Sequence, residues 1–458
     1  MIYYYNKYRN VKPQPKDAAI PEANVTIQLP LYNELYVIER LIDSVCEIDY
    51  PKDKLEIQVL DDSTDETVDI VAKAVARKQA EGFDITHIRR ESREGYKAGA
   101  LKEGLKTAKG DFVAIFDADF LVQKDFLLKT LPFFSDEKIG MVQTRWEHLN
   151  GDYSFLTKAQ ALALDGHFVL EQNVRNKAGF FFQFNGTGGI WRKSCIYDAG
   201  NWHIDTLTED MDLSYRAQLN GWRFVFLKDT VSPAELPSEI NALKAQQFRW
   251  TKGAVETAKK ILPLVWKSKI PLRVKLQSTF HLTNNLAYPF ILLVAILNVP
   301  LTFVKNSGSH EAYFAVMSVF VLAFVSSFMF YLYSQRDIRA DWRKKIVLFP
   351  LFMAGSMGLA VNNSRAVFEG LMSRKSEFVR TPKFKVVNNE DDWTKKKYVN
   401  RKLDLSTIVE LTLAVYYLFG ICASVYFLEI AALPFQFLFF TGFSAISFIS
   451  IRHAYSKK

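Results

Sequence analysis

The sequence predicts an α/β domain with a mainly parallel sheet, followed by an α-helical membrane domain of about four spans plus interfacial helices. Three observations carry this reading. Short apolar runs at 25–29, 55–60, 83–88 and 112–116 start roughly 28 residues apart, the length of a strand, a helix and two loops. Such alternation argues for βαβ units. The last third of the chain holds long uncharged apolar runs, and the loops between them are alternately basic and nearly neutral.

Composition narrows the class. The chain has 458 residues, enough for two to four folding units at about 100–200 residues each. It is 49% hydrophobic and 14% aromatic, with 58 Lys and Arg against 49 Asp and Glu, a formal charge of +9. That excludes a disordered chain, a collagen and an ordinary acidic cytosolic enzyme. The charge is too dispersed for a nucleic-acid face, so nucleic acid is not an expected partner. Cys46, Cys195 and Cys422 are odd in number and lack metal spacing, which argues against a disulfide framework and for a reducing compartment.

The elements follow in order. Residues 1–23 show no signal peptide; a tyrosine-rich start and three prolines read as a linker or the remnant of a membrane helix. Residues 24–235 form the α/β domain. Its first interval carries Ile38, Leu41, Ile42 and Val45 at helical spacing. Ligands of parallel sheets gather beyond the carboxyl ends of the strands. Asp61 and Asp62 end the second strand there, and Asp117 and Asp119 end the fourth.

Residues 236–281 read as interfacial helices. The runs 286–304, 312–333, 411–428 and 430–451 carry no charge and approach the length that crosses a ~30 Å hydrocarbon core. They define one transmembrane pair within 282–333 and another within 407–451. The loops holding Arg336, Arg339, Arg343, Lys344 and Lys345, and later Arg374 to Lys397, are basic and fall on the cytoplasmic side. A segment between two loops on one side cannot cross once, so 346–370 is expected to be interfacial or re-entrant. The tail 452–458 then also lies inside.

Each chemistry-bearing motif has an ordinary alternative. Asp117-Ala118-Asp119 offers two carboxylates that can converge on a hard divalent cation, or it is an acidic turn. Asp61-Asp62-Ser63-Thr64-Asp65 can bind a base or ribose, with Thr64 or Asp65 capping the next helix. Lys97, among small residues at a helix start, suits a phosphate or is a surface lysine. Thr208-Glu209-Asp210 can supply a general base, or a cap with acids in the first turn. Gln246, Arg249, Trp250 and Gly253 share one face of a helix over about 238–262, either for diphosphate and sugar or as a membrane-surface anchor.

In this order, the motifs resemble the D, DxD, TED, QxxRW series of the membrane-embedded, processive family-2 glycosyltransferases, cellulose synthase and its relatives. Leu29-Pro30-Leu31-Tyr32-Asn33-Glu34, Gln143-Thr144-Arg145-Trp146 and Glu377-Phe378-Val379-Arg380-Thr381-Pro382-Lys383 are most similar to the mannan and glucan synthase branch. The resemblance covers about residues 24 to 450. It implies a GT-A fold, a nucleotide-sugar donor (UDP-glucose or GDP-mannose), a growing glycan acceptor, Mg²⁺ or Mn²⁺, and inversion to a β linkage. It also implies Asp210 as base, Asp117 and Asp119 as metal ligands, and Asp61 and Asp62 beside the nucleotide with Pro30, Tyr32 and Glu34. Lys97 would approach the diphosphate. Gln246, Arg249 and Trp250 would hold the leaving group and terminal sugar, with Glu209 beside the base. Gly186 and Thr187 fall where relatives position the acceptor, and Thr381 lies in a gating loop within 334–406.

By the same resemblance the protein is a multi-pass protein of a lipid bilayer, in a bacterial inner membrane, with its catalytic domain cytoplasmic and its product exported. A homo-oligomer or an accessory export subunit is compatible with this. Relatives carry one or two membrane helices before the catalytic domain and this sequence shows none. The competing readings are a single transfer to a lipid acceptor and an inactive membrane scaffold.

Overall fold

A computed structural model describes residues 1–458 apart from 18, 20–22, 309–311, 313, 315, 317, 318, 320, 377, 389 and 456–458. The four apolar runs become β1 (Val25–Leu31), β2 (Leu55–Asp61), β3 (Asp84–Ile88) and β4 (Phe112–Ile115). With β5 (Ile139–His148), β6 (Gly189–Arg192) and β7 (Arg223–Ala234) they form one sheet in the order β3-β2-β1-β4-β6-β5-β7. β1 pairs in parallel with β2 and β4, β2 with β3, and β5 with β7. Only β6 runs against its neighbours, so the sheet is mainly parallel.

Both faces of the sheet are buried, which explains why the strands read as continuous apolar runs rather than alternating ones. Along β4, Phe112 and Ala114 join the core beneath the helices Ile38–Cys46 and Thr67–Ala80. Val113 and Ile115 join the opposite core with Leu101 and Leu105 of the helix Tyr96–Thr107. Each fully buried Leu, Ile or Phe adds about 1.5–3 kcal/mol. Two cores back to back therefore fix where the strand ends, and the residues just past them, must lie.

Behind the sheet the long helix Ile240–Lys267 starts at Glu239, whose carboxylate accepts from the backbone N–H of Asn241 and Ala242 at 2.9 and 3.0 Å. Among the described residues three helical stretches are long and apolar enough to cross a membrane: Leu272–Asn306, Leu405–Tyr426 and Ile430–Ala454. The first begins well before the expected run, because the polar turn Asn284–Leu286 continues into the helix Leu272–Thr283 instead of ending it. The expected span 312–333 falls partly outside the described residues; its latter part lies in the helix Val321–Ile338. The segment 346–370 forms two shorter helices, Phe349–Gly358 and Ala360–Leu371.

The first residues are not only a linker. Ile2–Tyr8 is a short helix, and its Tyr5 is buried against Leu170 and Val174 with Tyr333 alongside.

Candidate active site

An open cleft with a cavity volume of about 190 Å³ lies beyond the carboxyl ends of β1, β2 and β4. Its wall brings together residues from every motif: Pro30, Tyr32 and Glu34; Asp62; Lys97; Asp117 and Asp119; Gly186; Glu209 and Asp210; Gln246, Arg249 and Trp250; and Thr381. Two expected site residues stand behind that wall instead. Asp61 accepts from the Ser63 N–H at 2.8 Å and pairs with His87 Nε2 at 2.9 Å, because successive strand side chains face opposite ways. Burial works against its charge, but the bonds from His87 and Ser63 outweigh that and hold its carboxyl below the ordinary value. Thr187 is fully buried, and its Oγ accepts the Asp117 backbone N–H at 2.8 Å, fastening the turn from beneath.

At the centre Lys97 Nζ donates to Asp117 Oδ1 and, at 2.9 Å, to the Gly186 carbonyl. Gly186 has a positive φ of 78°, and a Cβ there would lie 3.2 Å from Asp210 Oδ2 and 3.4 Å from Lys97 Nζ. Glycine thus lets the Asp210 carboxyl, the Lys97 ammonium and the Gly186 loop meet. Burial is the main cause that pushes Asp210 and Glu209 above ordinary carboxylate values; the Glu209 charge adds to it for Asp210. Burial opposes the charge on Lys97, yet Asp117, Glu209 and Asp210 outweigh it and raise the lysine.

Thr208 holds the N-cap position of the helix Glu209–Leu219, but its side chain makes no cap bond; its Oγ lies 3.0 Å from Thr257 Oγ on the long helix. Gly253 makes this crossing possible, since a Cβ there would sit 2.7 Å from Thr208 Cγ2 and 2.9 Å from the Leu207 backbone. The Thr208 turn and the Arg249 helix are thereby locked into one wall. Asp65 lies one residue before the Glu66 cap position of the helix Thr67–Ala80, and its carboxylate accepts the Thr67 N–H at 3.0 Å, so the cleft-lining Asp62 and the acid at the helix start are separate residues.

The segment after Arg374 covers the cleft. Lys383 Nζ donates to Asp119 Oδ2 at 2.6 Å and to the Glu235 carbonyl at 3.0 Å. Arg380 pairs with Glu34 at 3.1 Å, while burial still pushes the Glu34 carboxyl up to about 8. Arg249 lies 4.5 Å from the Phe378 ring centre and donates to the Val379 carbonyl at 3.4 Å. Thr381 Oγ is buried without a partner among the described residues. Glu377 lies outside those residues.

The carboxylates of Asp117 and Asp119 each hold an ammonium group, so a positive charge already stands at both oxygen sites. This donor set suits a hard divalent cation. Among the described residues one further cluster, His203, Asp205 and Asp212, has metal-like spacing within 4.8 Å. Lys260 Nζ fills it, at 2.8 Å from His203 Nδ1 and Asp205 and 3.0 Å from Asp212. Sequence reasoning did not single out Arg93, His148, Glu235, Arg380 or Lys383 as site residues, although all line the cleft. Arg380 and Lys383 stood inside a quoted motif; no spacing signal marks the others.

A strand-end acidic turn, a helix-borne carboxyl and flanking cations on a mainly parallel sheet define a glycosyltransferase type of fold and site. The comparisons agree: the family described as "Glycosyltransferase like family 2" matches residues 21–253, and the chain belongs to the family-2 glycosyltransferases. It is 34% identical over 434 residues to "Glucomannan 4-beta-mannosyltransferase 9" of Arabidopsis thaliana, covering 92% of this chain and 79% of that one. It is 46% identical over 253 residues to "Probable glucomannan 4-beta-mannosyltransferase 4" of Oryza sativa subsp. japonica, covering 54% of this chain and 46% of that one. The match spans about half the length of the first such relatives. Among solved structures, the mannosyltransferase PcManGT from Pyrobaculum calidifontis, in complex with GDP-Man and Mn²⁺, shares the fold at TM-score 0.58. That likeness has 20% identity and covers 82% of this chain and 95% of the other.

Proposed function

We propose that the protein is an inverting hexosyltransferase that elongates a β-linked glycan of mannan or glucan type from a nucleotide sugar. The observation that carries this is the half-buried Asp210 carboxyl, set against Gly186 and Lys97 on the same cleft wall as Asp117 and Asp119. Relatives named as mannosyltransferases favour GDP-mannose over UDP-glucose as donor.

In this reading Tyr32, Glu34 and Asp62 border the nucleoside. Asp117 and Asp119 hold Mg²⁺ or Mn²⁺, which when bound neutralises the departing diphosphate. Lys97 and Arg249 add fixed positive charge where negative charge develops. Asp210 takes the proton of the acceptor hydroxyl as that oxygen attacks the anomeric carbon from the opposite face. Gln246 and Trp250 hold the terminal acceptor sugar, and the Gly186 loop aligns the chain behind it. The segment 378–383 closes over the donor, with Thr381 Oγ free to bond it.

The multi-pass arrangement, the cytoplasmic cleft and export of the product are part of the same proposal. The apolar spans behind the cleft support it, as do polar residues such as Asn285 and Tyr288 on the first of them.

Membranes containing the protein should be incubated with Mn²⁺ and radiolabelled GDP-mannose or UDP-glucose. The expected result is a ladder of chain lengths cut by an endo-β-mannanase and absent with Asp210→Asn. A single lipid-soluble product would replace elongation by one-step transfer to lipid. Absence of any product with a panel of sugar nucleotides would overturn the enzyme reading.

A further inference from the structure

Arg93 is the one arginine of the cleft wall with neither an ion pair nor a hydrogen bond among the described residues; Arg249 and Arg380 both have partners. Its guanidinium carbon lies 3.3 Å from the centre of the Tyr32 ring, 4.9 Å from that of Tyr96 and 5.9 Å from that of Phe378. At 3.3 Å only a face-on contact fits, so its N–H fork is directed sideways, in the plane of the stack. Its Nε is buried without a partner. Burial disfavours the charge, and the aromatic and Asp62 neighbours only partly offset that. A half-buried cation left open in this way is free to take a ligand acceptor.

The neighbour set says which part of the donor arrives here. Arg90 beside it is spent on Asp62, donating to Oδ1 at 3.0 Å and to Oδ2 at 2.5 Å. Tyr32, Asp62 and Arg93 follow β1, β2 and β3, on the outer half of the sheet. Asp210 starts a helix whose Leu213 and Ala217 pack with Trp191, Phe224 and Phe226 of β6 and β7, on the other half. The reacting end and the Arg93 end are therefore opposite ends of one cleft. Diphosphate charge belongs between them, at Lys97. What remains for Arg93 is the base.

The geometry points to Arg93 as the residue that reads this base, and to guanine as the base it takes. Guanine presents O6 and N7 side by side, two acceptors matching the two parallel N–H groups of a guanidinium. Adenine puts an amino donor beside N7, and uracil offers O4 without a second acceptor next to it, so neither completes the fork. The inference rests on the sugar-nucleotide reading above and deepens it, since a carboxylate such as Asp62 alone would serve more than one base.

The test is equilibrium binding of GDP, UDP and 7-deazaguanosine diphosphate, with Mn²⁺, to the detergent-solubilised full chain. Wild type should prefer GDP to UDP and bind the deaza analogue, which lacks the N7 acceptor, more weakly than GDP. Arg93→Leu should weaken GDP by about 5- to 150-fold, leave UDP unchanged and erase the gap between GDP and its analogue. Arg93→Lys should keep charge-dependent affinity for GDP without restoring that gap. Equal losses for GDP and UDP, or an intact gap in Arg93→Leu, would overturn the assignment while leaving a guanosine donor standing. A wild-type preference for UDP would sink the guanosine donor and the assignment together.

Discussion

A carboxyl that must accept a proton from a sugar hydroxyl works best when its own affinity for protons is near the working pH. Asp210, the base proposed above, suits that need through burial beside another carboxyl, which raises it above the ordinary Asp value of about 3.9. The sign of the resulting pH dependence is fixed. Only the ionised form is a base, so turnover falls as pH drops through the raised value, well above the range of an exposed carboxylate. A pH–rate profile of saturated enzyme checks this; a limb near pH 4 would contradict it. Asp210→Asn should lose about 10²- to 10⁴-fold in turnover while nucleotide binding persists. This scale also shows what sequence can and cannot tell. Asp61 and Asp62 are adjacent and chemically identical, and no pattern in the sequence says which turns to the cleft. The strand pleat decides it, sending Asp61 back to His87 and Asp62 forward to Arg90. Arg93 escaped notice for the same reason, being one of three arginines within residues 89–93 that differ only in what they touch.

At the scale of elements, the covering segment is tied at both ends. Lys252 donates to Ser376 Oγ at 2.7 Å, and Lys259 to the Leu371 carbonyl at 2.8 Å, so one face of the long helix anchors its start. Further on, Lys397 pairs with Glu66 and Tyr398 with Asp65, next to the Asp62 turn. Between these anchors Lys383 and Arg380 reach into the cleft. Lys383→Met should therefore increase Mn²⁺ affinity in the absence of nucleotide, measured by paramagnetic resonance of free Mn²⁺; unchanged affinity would mean the lysine does not compete for Asp119. Gly253→Val should lower the melting temperature of the solubilised protein, by the roughly 1–3 kcal/mol of an overpacked contact, because its side chain enters the Thr208 backbone. The strands and helices around these contacts were legible because their periodicity is local. The clasp was not: Lys383 and Asp119 are 264 residues apart, and a lysine carries no mark of its partner.

For the whole molecule, the joint between the sheet and the apolar helices is the part most exposed to error in charge. Lys244 of the long helix donates to Glu410 of the span Leu405–Tyr426 at 2.7 Å, with both side chains buried. Removing one partner of such a pair leaves an unpaired buried charge and costs about 3–5 kcal/mol. Glu410→Ala should accordingly lower thermal stability sharply, whereas the double replacement Lys244→Met with Glu410→Leu should lie closer to wild type. A double variant as unstable as the single one would refute this account. The apolar spans were legible from length and absence of charge, but the helix leading into the first one was not seen to be continuous with it, since the turn between them holds Asn284 and Asn285, residues that usually punctuate helices.

The clasp of Lys383 on Asp119 also bears on the order in which the proposed metal and donor arrive. A tethered ammonium is an internal counter-ion that bare ions must evict without help, whereas a chelate of ion and diphosphate brings its own compensation. If Asp119 holds the metal as proposed, the protein at rest is insulated from idle metal loading, and the arrival of fuel and the arming of the site become a single event.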